Sequence, residues 1–241
     1  MSTDQLTEEQ IAAILQECKF ALLSGEPVDL RALGYRRAVR AVRRHPAWVE
    51  QFADSIGEID RAVFLRRVQP VFPVPLGAAL LATGTALGIG LTALSFDVSP
   101  KWRGLTLLAG VGALLGSTHG LTHFLVGKLQ GMSFVGWYLN GPIKVEPTLK
   151  IDQASYLKTP PEQRAWMHAS GALVTKLIPF FGLAVGSAVR APGWAKALLG
   201  ILGVVQLITD AFVSTKIGDW SRFQREMRLA RRLTSGRGTP D

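Results

Sequence analysis

Two histidines stand four residues apart in the stretch Gly116–Lys128, which reads GSTHGLTHFLVGK. On a helix that spacing puts His119 and His123 on one face. Two imidazoles so placed are a familiar chelating pair for zinc. The same residues can also stay neutral and hydrogen-bond between helices, so the pair alone leaves both chemistries open. Asp210 is the acidic residue in a later apolar block, and Lys176 is the basic residue in the block before it. If both blocks cross a membrane, Asp210 falls at about the depth of the histidines. His119, His123 and Asp210 would then supply three ligands of a tetrahedral ion and leave a fourth position open, the hallmark of catalytic zinc. Lys176 offers a competing use for Asp210, because an ion pair would satisfy both charges without a metal. Lys176 can also extend to the membrane surface. His168 stands at the mouth of its block and has three readings: fourth ligand, proton shuttle or ordinary interface residue.

The elements that position these residues are apolar blocks. Residues 72–96, 104–127, 169–189 and 197–215 are uncharged or carry a single ionisable side chain besides histidine. About 20 helical residues cross a bilayer core, so the expectation is four transmembrane helices in an all-α integral membrane fold. Three parts are expected: a helical region over 1–70, a membrane domain over 71–216 and a basic amphipathic tail over 217–241. Lys and Arg number ten before the first block, five between the second and third, and seven after the fourth, with two in each remaining loop. That alternation predicts both termini on the cytoplasmic side. The net charge of +9 is therefore read as membrane topology rather than nucleic-acid binding. Membrane lipids are the expected partners.

Local signals refine the picture. Thr7 and Gln10 form a capping box for a helix stopping near Gly25, Asp29 can cap a second, and a third is expected from about 47 to 67. Gly, Pro and Asn punctuate residues 131–152, which predicts a small surface hairpin with Trp137 and Tyr138 at the membrane interface. Pro160 and Pro161 mark a helix start. Asp219 reads as the cap of an amphipathic tail helix lying on an anionic leaflet or packing on the N-terminal region. Four histidines in all are too few for a membrane di-iron desaturase.

Over about residues 104–220 the chain resembles the site-2 protease (peptidase M50) family of intramembrane zinc metalloproteases. The resemblance rests on HGLTH in one apolar block, the hairpin loop, the stretch YLKTPPEQRAWMHASGALV leading into the next block, and an aspartate in the last. It implies zinc held by His119, His123 and Asp210, a site towards the cytoplasm of a bacterial or archaeal membrane, and cleavage of a peptide or membrane-protein substrate. It also matches Ser170-Gly171-Ala172 to a small-residue turn. Gly120 stands where the family has the glutamate that takes a proton from water, and glycine has no group to do so. Glu146 in the hairpin is the candidate replacement. The alternative is a non-catalytic relative that keeps the scaffold to bind membrane partners, with or without a metal.

Overall fold

The computed structural model describes residues 6–24, 29–140, 146–210, 212 and 218–235, and the side chains of 140, 146 and 147 lie outside that description. The expected stop at Gly25 and most of 211–217 fall outside it too. The helices are α1 (Glu8–Leu23), α2 (Tyr35–Val42), α3 (Pro46–Arg67), α4 (Val74–Leu94), α5 (Pro100–Leu129), α6 (Gln153–Lys158), α7 (Pro161–Ala188), α8 (Gly193–Thr209) and α9 (Asp219–Thr234); the strands are β1 (Val71–Phe72), β2 (Phe134–Asn140) and β3 (Glu146–Ile151). The chain folds as two compact units.

The first unit joins Met1–Phe72 to Gln130–Glu162 and Met227–Asp241. Helix α1 begins at the capping box: Gln10 N–H donates to Thr7 Oγ1, and Thr7 N–H donates to Gln10 Oε1. Its buried face of Ile11, Leu15, Cys18 and Leu22 packs with Ala38 and Val42 of α2 and with Phe52, Ala53, Ile56 and Ile59 of α3. Asp29 caps no helix; it accepts from the Arg31 N–H and closes a turn before α2. The expected hairpin forms, with β2 and β3 antiparallel from Phe134↔Ile151 to Asn140↔Glu146. Two further pieces go beyond the sequence reading. Strand β1 adds to β2 in the order β1-β2-β3, and α6 packs on the α1–α3 core through Leu157. Lys150 pairs with Asp60, and Lys158 with Asp54. Residues 130–162 therefore fold with the N-terminal helices and not with the membrane domain as expected. Trp137 is buried rather than interfacial, and Tyr138 stacks edge-on against Phe64.

The second unit comprises Pro73–Leu129 and Gln163–Glu226. Three of its helices, α4, α5 and α7, are long and apolar enough to cross a membrane. The fourth expected span is the shorter apolar α8, of 17 residues. The packed seam is narrow: Leu107, Val111 and Leu114 of α5 meet Ile178 of α7 and Leu199 of α8. Large apolar side chains stay exposed around it, including Leu80, Leu87 and Ile89 on α4, Leu177 and Phe181 on α7, and Ile201 and Val204 on α8. That pattern suits helices whose solvent is lipid. Helices α4 and α5 approach so closely that a Cβ on Gly110 would lie 2.5 Å from Thr92 Oγ1 and 2.9 Å from the Gly88 carbonyl oxygen. Small residues at such crossings are the usual device of membrane helix packing. Ser170-Gly171-Ala172 forms no turn; all three lie inside α7.

Candidate metal centre

Helix α5 carries both histidines, and their spacing turns both rings to one side, with centroids 4.6 Å apart. Helix α7 fixes one of them. His123 Nδ1 lies 2.7 Å from the Met167 carbonyl oxygen. An oxygen that can only accept requires Nδ1 to carry the proton, so in the neutral ring Nε2 is a bare lone pair. The ring fits against α7 because residue 171 is glycine: a Cβ there would sit 2.5 Å from His123 Nε2.

The carboxylate facing this lone pair is Asp219, the first residue of α9. Asp219 Oδ2 lies 3.3 Å from His119 Nε2 and 3.3 Å from His123 Nε2, and the two Nε2 atoms are 3.2 Å apart. Charge-assisted hydrogen bonds between such groups run about 2.7–2.9 Å, so these separations are long for direct bonding. They match another geometry. Three ligands about 2.0–2.1 Å from a tetrahedral ion stand about 3.3 Å apart. The three atoms therefore outline one face of a coordination tetrahedron. Lone pairs facing one another across such a triangle need a cation between them, either a proton or a metal ion.

Burial is graded across the site. The His123 and Asp219 side chains retain 15% and 18% exposure, whereas His119 retains 42%, so the triangle is open on the His119 side. Burial alone would raise the Asp219 carboxyl. The neighbouring His119 and His123 outweigh it and hold the group well below the usual carboxylate range. Arg222 Nη1 lies 3.8 Å from the other oxygen, Oδ1.

The other sequence candidates take different places. Asp210 pairs with Lys176 and accepts a 2.6 Å hydrogen bond from Trp220 Nε1. Among the described residues the group able to hold an ion is His119, His123 and Asp219. Asp210, expected as the third ligand, lies outside that group and pairs with Lys176; the carboxylate beside the histidines is Asp219. His168 is buried on α7 next to Met167 and is not part of the group around Asp219. Gly120 lies between the histidines on α5, half-buried. Glu146 is described only as the first residue of β3. Sequence reasoning read Asp219 as a helix cap. The signal that could have found it is Lys176, a ready counter-ion that leaves Asp210 already matched. No family model, no curated protein and no solved structure matches the chain.

Proposed function

We propose that the chain is a membrane metalloprotein of the site-2-protease type, with a zinc-class ion held by His119, His123 and Asp219. The observation that carries this reading is the Nε2–Nε2–Oδ2 triangle of 3.2, 3.3 and 3.3 Å, with the His123 proton committed to Met167 on the far side of the ring. Nitrogen and carboxylate donors in a three-ligand set suit zinc with one position open. Bound there, the ion would polarise a carbonyl and lower the pKa of water, the chemistry of peptide hydrolysis. The protein's own part is positional. Met167 sets the tautomer of His123, Gly171 admits its ring, and the exposed flank of His119 leaves a path for substrate. In this reading Glu146 is the proton acceptor, four helices cross the membrane, and both termini are cytoplasmic.

A second reading has its own support. Gly120 leaves α5 without a base between the ligands, which favours a relative that binds a metal and membrane partners without hydrolysis. Metal analysis of the detergent-purified full-length protein tests the shared premise. One equivalent of zinc is expected in the wild type and loss of that equivalent in His123→Ala and in Asp219→Ala. A metal-free wild type that takes up no added zinc would sink both readings. Cleavage of a membrane-segment peptide by the zinc-loaded wild type, lost in Glu146→Gln, favours the protease. Cleavage gained only in Gly120→Glu favours the non-catalytic relative.

A further inference from the structure

We propose that Lys176, Asp210 and Trp220 form a positioning clamp that holds Asp219 against the two histidines; the proposal rests on the metal-centre reading above. Asp219 reaches the site from the first residue of α9, and a ligand at a helix start is held only as firmly as that start. The next residue, Trp220, is gripped on two sides. Its indole N–H donates to Asp210 Oδ2 at 2.6 Å, and Lys176 Nζ lies 4.7 Å from its ring centroid. Lys176 also pairs with the Asp210 carboxylate and donates to the Ala172 carbonyl oxygen at 3.3 Å. The ring is braced edge-on by Phe223, itself edge-on to Trp166 of α7, with centroids 5.4 Å apart in both contacts.

An ion pair serving only to neutralise two charges in an apolar unit is complete with Lys176 and Asp210. The third partner is what assigns a further role, because it is covalently next to the ligand. Helix α7 also supplies Met167 and Gly171 to His123 and Lys176 to the clamp. One helix thus references a histidine ligand and the carboxylate ligand to the same frame. Residues that orient metal ligands from outside the coordination sphere typically contribute about 10–100-fold to metal affinity.

The test uses the full-length protein in detergent, stripped of metal and titrated with Co(II), whose visible absorption reports ligand geometry as well as occupancy. The wild type should bind one equivalent with the intense bands of a tetrahedral site. Trp220→Phe removes the N–H donor and shrinks the indole to a single aromatic ring that can still face Lys176 and Phe223. It should keep the stoichiometry, bind about 10–100-fold more weakly and show weakened bands. Asp210→Asn and Lys176→Met should move the same way, and Lys176→Arg should restore wild-type affinity. Asp219→Ala should lose the equivalent altogether. Wild-type affinity and spectrum in both Trp220→Phe and Asp210→Asn would overturn the clamp while leaving the metal centre standing. So would complete loss of the site in Asp210→Asn with Trp220→Phe unchanged, which would make Asp210 a ligand. A wild type that binds no Co(II) overturns the metal-centre reading itself.

Discussion

A carbonyl oxygen cannot donate, and the 2.7 Å contact from Met167 therefore restricts His123 to one tautomer. The ring is equally restricted in position, since Gly171 presents no Cβ where its Nε2, Cδ2 and Cε1 lie. Gly171→Ala forces the imidazole to move and is expected to weaken metal binding at least tenfold, on the order of other outer-sphere changes. Alanine is the better helix former by about 1 kcal/mol, but crowding the imidazole off its Met167 contact offsets that gain, so the melting temperature should change little or fall slightly while affinity falls. Metal titration and thermal unfolding of the same sample separate the two effects. The histidine pair was legible in the sequence because the helical period alone puts i and i+4 together. The third residue was not. Asp210 and Asp219 are nine positions apart, and which one meets the histidines depends on where α9 starts and on the pairing of Lys176, neither of which periodicity records.

Helix α9 is fastened to α7 a second time. Arg164 Nη2 lies 3.1 Å from Glu226 Oε2, with side-chain exposures of 2% and 0%, while Arg225 reaches the other oxygen at 3.2 Å. Arg164→Met leaves Glu226 paired with the half-exposed Arg225 alone, so it should cost less than the about 3–5 kcal/mol of a fully stranded buried charge. Arg164→Met with Glu226→Leu should recover most of it, as apolar replacements of whole pairs often do. Thermal unfolding in detergent of the single and double variants checks both. Equal losses in the two would show that packing rather than charge governs the contact. Element boundaries were readable where a side chain enforces them: the Thr7–Gln10 box and Pro161 begin α1 and α7 as expected, and α3 begins at Pro46, one residue before the expected 47. Strand β1 and helix α6 escaped notice. Two residues and six residues are too short to carry a period, and both exist through partners distant in sequence, β2 and the α1–α3 core.

For the whole molecule, the division into two units places different chemistry in each. In the first, the half-buried Tyr35 packs against the helical core and donates to the Ile56 carbonyl oxygen at 3.0 Å. Burial, reinforced by Asp60 and Cys18, pushes its phenol above the usual tyrosine range. The folded state holds this proton to a higher pH than the unfolded chain. Its stabilisation is therefore complete below about pH 10, the unfolded value, and is lost as pH rises towards the folded value. Hydrogen exchange should show the first unit loosening as pH rises above about 10. Tyr35→Phe should cost about 1 kcal/mol near neutrality and flatten that alkaline loss; an undiminished loss would assign it to other groups. The second unit carries a different constraint in its Lys176–Asp210 pair. Lysine in the middle of an apolar helix costs about 2.5–3.5 kcal/mol to insert on its own. Its counter-charge arrives only with the end of α8, which follows α7 after a tight turn at Arg190. If α8 crosses the bilayer beside α7, the two would therefore insert as one hairpin rather than one after the other. The pair that neutralises Lys176 in the folded unit would then also set the order in which these helices are assembled.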